Sequence, residues 1–259
     1  MSNEVLSERM GSLRMITLNR PERHNAMDDA TSALFQRLLG EALEESESCA
    51  ILIRANGKSF CSGRDTNVLG HRARDESDFH FVRRHQEGRL RMQESTKPII
   101  AALKGGAIGG GCELALAADI RISDTTLKMA LPEINYGVLP DTGGTQMMTA
   151  LIGPSRTKYL VMTGQRIDAA TALEWGAVDF VVAPDELDAR ALEIARDIAA
   201  KPPLNLAMAK EMINLMHGAT IRTGTRAELY AQSYLFKTED YQEARAAIRE
   251  KRVPDYKGK

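Results

Sequence analysis

Two periods of apolar residues run along the chain, and each period predicts a different element. Residues 12–19 alternate between polar and apolar and then turn apolar, which is typical of a strand. Between about 28 and 44, apolar residues return every three to four positions, which predicts a helix with one buried face. The short apolar run 50–54 predicts a second, buried strand. The chain therefore opens with a strand, a helix and a strand.

The same order returns in the middle of the chain. After a polar, arginine-rich region from 64 to 94, the apolar run 98–103 predicts another strand. This run leads through a glycine-rich turn into residues 112–118, for which we predict a helix, and 120–123 and 127–130 predict two short strands. Strands that alternate with helices in this way predict an α/β architecture.

Helices dominate the rest of the chain, with a single predicted strand at 178–182. Pro202 and Pro203 stop one helix and can begin the next, so we place a boundary there. We predict a catalytic core at 1–200 and a helical region at 201–259. The predicted helices are, in order, 155–163, 168–175, 186–199, 204–216, 223–236 and 239–252.

Charge and cysteine usage narrow the classes of function. The 259 residues carry 34 basic and 35 acidic side chains, so nothing favours binding to nucleic acid or to an anionic membrane. Cys49, Cys61 and Cys112 are scattered without ligand-like spacing, so we expect neither a disulfide framework nor a metal site. Because no apolar stretch approaches the ~20 residues that a membrane span needs and the N-terminus is polar, we expect a cytoplasmic protein.

Three consecutive glycines, Gly109, Gly110 and Gly111, stand where a predicted strand meets a predicted helix. Glycines let the backbone come close to a ligand, and the free N–H groups at a helix start favour negative charge, which suits a phosphate or an oxyanion. No Gly-Lys-Ser/Thr follows, so the turn is not a P-loop, and its spacing does not match the dinucleotide-binding fingerprint. Tight packing of helix on sheet is an equally good explanation.

Two glutamates lie beside this turn. Glu113 lies one turn into the predicted helix, and Glu133 follows Pro132 further along the chain. Taken alone, each is explained as a negative charge near a helix start, which the helix dipole favours. The wider pattern of the sequence changes this interpretation.

Five blocks of residues occur in a fixed order around these positions. They are LNRPERHNAM (18–27), GKSFCSGRD (57–65), KGGAIGGGCELALAAD (104–119), PEINYGVLP (132–140) and GGTQ (143–146). In this order they closely resemble the crotonase (enoyl-CoA hydratase/isomerase) superfamily, and within it the enoyl-CoA hydratases. The resemblance extends over residues 13–256.

The resemblance implies both an architecture and a reaction. It implies a crotonase-like spiral of β-β-α units, with a C-terminal helical region that packs three chains into a trimer and often two trimers into a hexamer. It implies reversible hydration of a 2-enoyl-CoA to a 3-hydroxyacyl-CoA. Coenzyme A is then part of the thioester substrate, and no prosthetic group or metal is implied. Glu113 and Glu133 together favour hydration, because relatives with other chemistry often lack one of the two.

The resemblance also implies roles for single residues. The backbone N–H groups of Arg64 and Gly110 would form the oxyanion hole for the thioester oxygen. Glu113 would help to activate water, and Glu133 would deliver a proton to the α-carbon. The positions carried over to the coenzyme A path are Arg23, His24, Ala26, Ser62, Arg64 and Asn67, together with Lys251, which matches a lysine that reaches a neighbouring subunit's nucleotide.

Three positions depart from typical hydratases. Asp141 stands in a loop where they have Gly, and a carboxylate there would re-aim water, act as a base or cap the following helix. Some isomerase-like relatives, including those that act on ring-derived acyl-CoAs, also have Asp in this loop. Arg64 replaces a usual Ala, so its side chain must point away or seal the pocket. His24 replaces a usual Leu, and we interpret it as a wall of the thioester path.

Two alternatives to a hydratase stay open. The first is double-bond isomerisation, or other crotonase chemistry on an unusual acyl-CoA such as a ring-derived one, and Asp141 favours it. The second is a non-catalytic homologue that binds RNA or serves as a scaffold. The balanced charge and the intact pair of Glu113 and Glu133 make this second alternative the weaker one.

Overall fold

A six-stranded sheet is the centre of the fold. The computed structural model describes residues 3–68, 75–215 and 218–259. The strands in their order across the sheet are β1 (Val5–Met10), β2 (Leu13–Leu18), β3 (Ala50–Ala55), β4 (Ile99–Leu103), β6 (Ile120–Asp124) and β9 (Phe180–Val182). In this sheet β1 is antiparallel to β2, and every other neighbouring pair is parallel.

A smaller sheet of three strands lies beyond the end of β4. It consists of β5 (Gly106–Ile108), β7 (Lys128–Ala130) and β8 (Ile167–Asp168), with β7 in the middle. The helices of the described chain are α1 (Asp29–Glu44), α2 (Asp78–Gln93), α3 (Gly110–Leu116), α4 (Gly144–Thr163), α5 (Ala169–Trp175), α6 (Leu187–Ala199), α7 (Pro203–Leu215), α8 (Ile221–Leu235) and α9 (Glu239–Glu250).

Both faces of the large sheet are buried, which explains why its strands are continuous apolar runs. Ile51 and Ile53 belong to a hydrophobic cluster that includes Phe35 of α1. Leu52, which points to the opposite face, belongs to a second cluster that includes Ala191 of α6. A parallel sheet covered by helices on both faces needs apolar residues at every position of its central strands.

The predicted α/β class is confirmed, whereas β1 and the first half of α4 are among the elements that the sequence did not predict. β1 was not predicted, because it is an edge strand in which only Val5 is buried. The helix predicted at 155–163 is the second half of α4, which begins at Gly144 and bends at Gly153, where φ is 78°. Pro154 follows the bend, and a proline inside a helix commonly produces one. The predicted helix end at 216 lies outside the described residues.

The C-terminal helices carry many apolar side chains on their surface. Lys210 of α7 is buried and donates to Asp119 Oδ2 over 2.9 Å, which attaches this helix to the residues just before β6. Ile221, Tyr230 and Ile248, on α8 and α9, are 78%, 74% and 78% exposed. Among the described helices, none combines the length and the apolar character that crossing a membrane requires.

Candidate active site

The glycine turn at the start of α3 brings separate chain segments into contact. Gly109 has a φ of 55°, and a Cβ atom there would lie 2.8 Å from Glu133 Oε1. A Cβ atom at Gly111 would lie 2.1 Å from the carbonyl oxygen of Cys61. Because both distances are too short for a side chain, these glycines allow two other segments to approach α3 closely. The close packing expected of the glycines is therefore confirmed.

Two backbone segments run side by side in front of α3. The N–H of Ile108 donates to Cys61 O over 3.0 Å, and the N–H of Cys61 donates to Gly106 O over 3.0 Å. Gly63, with a φ of 88°, lies so near that a Cβ atom there would be 3.2 Å from the Gly110 nitrogen. Gly110 is the first residue of α3, and no acceptor in the described part of the chain takes its N–H.

The backbone of Arg64 belongs to the same arrangement. Arg64 forms a bridge with Met27, in which Met27 N donates to Gly63 O and Asp65 N donates to Met27 O. In an extended segment, the main-chain groups of successive residues point to opposite sides. The N–H of Arg64 is therefore directed away from Met27.

The Arg64 side chain is held away from this turn. Its Nη1 lies 2.6 Å from Asp29 Oδ1 on α1, and its guanidinium carbon lies 5.0 Å from the centre of the Phe81 ring on α2. Both the ion pair and the contact with the ring face favour this orientation. The bulky side chain thus joins α1 to α2 and leaves only the backbone of Arg64 at the glycine turn.

The Glu113 side chain has one fixed orientation. It is 2% exposed, and its Oε1 accepts from the N–H groups of Thr142 (2.9 Å) and Gly144 (3.0 Å). Its Oε2 accepts from the Thr142 hydroxyl over 2.6 Å. These three donors fix the carboxylate against the loop that leads into α4.

Glu133 lies in a different environment a short distance away. Its Oε2 is buried and has no hydrogen-bond partner among the described residues. Burial raises the pKa of Glu133 from 4.5 to about 7, and the nearby carboxylates of Glu113 and Asp141 add to this effect. The site therefore contains one carboxyl group with three donors and a second one whose buried oxygen has none.

Asp141 is exposed and does not cap α4. The N-cap residue of α4 is Gly143, which makes no side-chain cap hydrogen bond, and N–H groups near the helix start donate to Glu113 instead. The capping interpretation of Asp141 is therefore wrong, because the N-cap position of α4 is Gly143, which follows Asp141 by two residues. The carbonyl oxygen of Asp141 accepts from Gln86 Nε2 over 2.8 Å, so this loop contacts α2.

Four of the residues expected along the coenzyme A path lie together at one edge of the site. His24 has a φ of 50°, its Nδ1 lies 3.0 Å from Ser59 Oγ, and its carbonyl accepts from Ser62 N over 3.0 Å. The Ser62 hydroxyl lies 3.5 Å from Arg23 O. Ala26 follows in the same turn and is buried, whereas Arg23 and His24 are exposed.

Asn67 and Lys251 lie apart from this group. Asn67 belongs to the short helical turn Thr66–Val68, where its N–H donates to Asp65 Oδ1 over 3.0 Å. Lys251 follows the last turn of α9 in the left-handed conformation, with a φ of 55°. Within the described residues, no hydrogen bond or ion pair joins Lys251 to the other predicted site residues.

Arg89 also belongs to this site, although the sequence pattern did not indicate it. Arg89 lies on α2, and its Nη2 donates to the carbonyl oxygen of Gly110 over 3.3 Å. Burial lowers the pKa of Arg89, and the nearby Glu113, Cys61 and Asp141 oppose this shift. The sequence shows only a run of arginines here, and the contacts of α2 were needed to single out the one that faces the site.

Neither buried cysteine at the site has the character of a nucleophile. Burial raises the pKa of the Cys61 thiol to about 11 and raises that of Cys112 well above its usual value. Both thiols therefore stay protonated near neutral pH, and thiols in this form are poor nucleophiles. Both side chains belong to the main hydrophobic cluster, so they serve as packing residues.

Known proteins similar to this chain all point to one family. Residues 8–259 match the family model described as enoyl-CoA hydratase/isomerase. The chain is 36% identical over 252 residues to the short-chain-enoyl-CoA hydratase of Clostridium acetobutylicum, with 96% of each chain covered. It is 32% identical over 259 residues to the 2,3-dehydroadipyl-CoA hydratase of Escherichia coli, with 99% of this chain and 100% of that one covered. The crystal structure of an enoyl-CoA hydratase from Bacillus anthracis matches with a TM-score of 0.92 at 34% identity, covering 99% of this chain and 100% of that chain.

Proposed function

This chain belongs to the enoyl-CoA hydratase/isomerase family and is an enzyme of the enoyl-CoA hydratase kind, and we propose that Glu113 and Glu133 are its acid–base pair. In the proposed reaction, water adds across the double bond of a 2-enoyl-CoA and gives a 3-hydroxyacyl-CoA. The observation that carries this proposal is the contrast between two neighbouring carboxyl groups. Glu113 is fixed by three donors, whereas Glu133 is half-buried, with one oxygen that lacks a partner in the described chain and a pKa of about 7.

This contrast suits one acid and one base. The oxygen of water bonds to the β-carbon while Glu113 takes a proton from that water. The double-bond electrons move towards the thioester and form an enolate, and Glu133 then delivers a proton to the α-carbon. Two carboxyl groups whose environments separate their protonation states are the arrangement that acid–base catalysis requires.

We assign the enolate oxygen to the backbone N–H groups of Arg64 and Gly110. The N–H of Gly110, the first residue of α3, has no acceptor in the described chain. Gly63, which precedes Arg64 and has a positive φ, lies against the same turn. Donors of this kind stabilise a developing oxyanion by roughly 3–4 kcal/mol each in other enzymes. We place coenzyme A along Arg23, His24, Ala26, Ser62, Arg64 and Asn67, with Lys251 reaching the nucleotide on a neighbouring subunit.

The proposed function is tested by incubating the purified chain with crotonyl-CoA. Hydration removes the absorbance of the α,β-unsaturated thioester and adds the mass of one water, which mass spectrometry identifies. Longer and ring-containing enoyl-CoAs measured in parallel would rank the acyl groups. A protein that binds these thioesters without adding water to any of them would contradict the hydratase assignment.

Isomerisation is the second candidate function, and Asp141 is the observation that favours it. Its exposed carboxylate is close enough to Glu133 to raise the pKa of that residue, so a third carboxyl group lies near the proposed acid. In this alternative, Asp141 or a glutamate removes a proton from one carbon of an enoyl-CoA and a proton returns to another. The product then has the mass of the substrate.

Replacing Asp141 with Asn distinguishes these two functions. If Asp141 is a base in isomerisation, we expect the change to lower the rate of isomer formation about 100-fold or more, because the amide cannot take a proton. Hydration of crotonyl-CoA should then change far less. Rates and products for both substrates, measured by chromatography and mass, check this prediction, and unchanged values for both would make Asp141 structural.

We also propose that the C-terminal region builds a trimer or a dimer of trimers. The exposed apolar side chains of α8 and α9 support this proposal, because such surfaces commonly mark protein interfaces. The core would then form the spiral of β-β-α units, with this helical region following it. Light scattering on the purified chain should give three or six times the 28.5 kDa of one chain, and a monomer would contradict the proposal.

A further inference from the structure

Arg89 is a half-buried cation beside Gly110 and near Glu113, and the mechanism above does not use it. Its Nε is one of three buried side-chain polar atoms that lack a hydrogen-bond partner in the described chain, and Glu133 Oε2 is another. Burying an unpaired donor of a charged group is unfavourable unless something else satisfies it. The Nε of Arg89 therefore needs a hydrogen-bond acceptor that the described residues do not supply.

The neighbouring carboxyl groups do not supply this partner. Within the described residues, no carboxylate oxygen lies within 4.0 Å of the Arg89 guanidinium. The oxygens of Glu113 already accept from Thr142 and Gly144. Among the described residues, the one hydrogen bond that Arg89 makes is from Nη2 to Gly110 O, so its buried Nε keeps a donor without an acceptor there.

The other arginines on this side of the site differ from Arg89 in having partners. Arg64 is paired with Asp29 over 2.6 Å, and Arg84 is paired with Glu76 over 2.6 Å. These two arginines therefore stabilise the structure around α2. Arg89, in contrast, donates to the Gly110 carbonyl oxygen and lies near Glu113, and its Nε has no acceptor within the described residues.

We infer that Arg89 recognises an acceptor oxygen on the acyl group of the substrate. Building on the proposed function, the preferred substrates are then enoyl-CoAs whose acyl chain carries a carbonyl, hydroxyl or carboxylate oxygen a few bonds beyond the double bond. A guanidinium offers several donors in a fixed plane, and it binds a neutral carbonyl or a carboxylate with the same groups. A plain hydrocarbon chain would leave these donors unsatisfied and would bind less tightly.

Binding of saturated acyl-CoAs tests this inference without relying on hydration. Titration calorimetry would compare hexanoyl-CoA with 5-oxohexanoyl-CoA and adipyl-CoA, and butyryl-CoA with 4-hydroxybutyryl-CoA. We expect an oxygenated ligand to bind about 10-fold or more tightly than its plain partner, which is the effect of one good hydrogen bond to a charged group. The carbonyl and carboxylate ligands show whether the preferred oxygen is neutral or charged.

Variants of α2 connect this preference to Arg89. Arg89→Met keeps most of the side-chain length without its donors, and we expect it to reduce the preference to within about 2-fold. Arg83→Met is the matched control, because Arg83 lies on the same helix with a side chain that is 62% exposed. This control should keep the full preference.

The outcomes separate this inference from the proposed function. Equal affinities throughout the panel for the wild-type chain, or a preference that survives in Arg89→Met, would overturn the role of Arg89. Failure to hydrate any enoyl-CoA would overturn the proposed reaction and leave the binding result readable. If the reaction holds, 2-hexenoyl-CoA and 5-oxo-2-hexenoyl-CoA should differ in kcat/KM in the same direction as their saturated forms differ in affinity.

Discussion

Replacing Glu133 with Gln is expected to lower kcat for hydration by about 100-fold or more, while affinity for the acyl-CoA changes little. The amide has nearly the same shape as the carboxyl group, but it cannot deliver a proton to the α-carbon. Steady-state kinetics with crotonyl-CoA and calorimetry with butyryl-CoA check the two parts of this prediction. Unchanged turnover would show that Glu133 is not the acid.

The pH dependence gives this prediction a second measurement. The pKa of Glu133 is about 7, so its protonated form is abundant below that pH and is lost above it. If this form delivers the proton, kcat/KM for hydration in the wild type should fall as the pH rises through about 7, because kcat/KM reports the groups of the free enzyme. The Gln variant should lack this decrease, because its side chain does not titrate. A decrease at the same pH in both proteins would assign it to another group.

A loss of folding would also lower kcat, and the melting temperature separates the two causes. The pKa of Glu133 is raised above 4.5, so the folded state binds its proton more tightly than the unfolded chain does. The stability that this residue contributes is present below the unfolded pKa and is lost as the pH rises through about 7. Relative to the wild type, Glu133→Gln should therefore become more stable as the pH is raised through this window. A variant that is unstable at every pH would make the kinetic result uninformative about acid catalysis.

The second large effect is expected from Gly111→Ala. The new Cβ atom would lie 2.1 Å from the carbonyl oxygen of Cys61. The Cβ atom is bonded directly to the backbone and the carbonyl is part of the backbone, so neither can rotate away. Either α3 or the Cys61 segment must shift, which we expect to destabilise the fold by about 1–3 kcal/mol. The same shift would separate the N–H groups of Arg64 and Gly110, so we expect turnover to fall by about 100-fold as well.

Gly218→Ala is the matched control for this change. Nothing lies within 4 Å of a Cβ atom at Gly218, and its backbone does not have a positive φ. The control should keep its activity and its denaturation midpoint, as measured by chemical unfolding. If Gly111→Ala behaved like the control, the close approach at the turn would not be needed for activity or stability.

The sequence predicts the elements that are buried, because burial leaves a periodic pattern. β4 is apolar at every position and β3 at every position but Arg54, since helices cover both faces of the sheet, and such runs are easy to recognise. β1 leaves no such pattern, because its side chains are mostly in contact with solvent. The first half of α4 was not predicted, because the glycine and the proline at the bend, Gly153 and Pro154, interrupt the helical pattern of the sequence.

The site follows the same rule at a finer scale. The glutamates and the glycine turn are recognisable because their residue types are needed at those positions for the chemistry or for the backbone. Arg89 was not, because an arginine within a run of arginines gives no sign of which one faces inward. The interpretation of Asp141 as a cap failed because α4 begins at Gly144 with Gly143 as its N-cap, and a glycine at that position gives no sign in the sequence of where the helix begins.

Glu113 satisfies the N–H groups of Thr142 and Gly144 at the start of α4, so this side chain also holds a helix in place. Evolution of a new activity on this chain therefore meets an obstacle at this position. A change to Ala would remove the proposed base and leave buried donors unpaired, whereas Gln keeps an oxygen for them. Descendants that lose hydration should first replace Glu113 with residues that can still accept hydrogen bonds, or acquire a substitute acceptor elsewhere before the glutamate is lost.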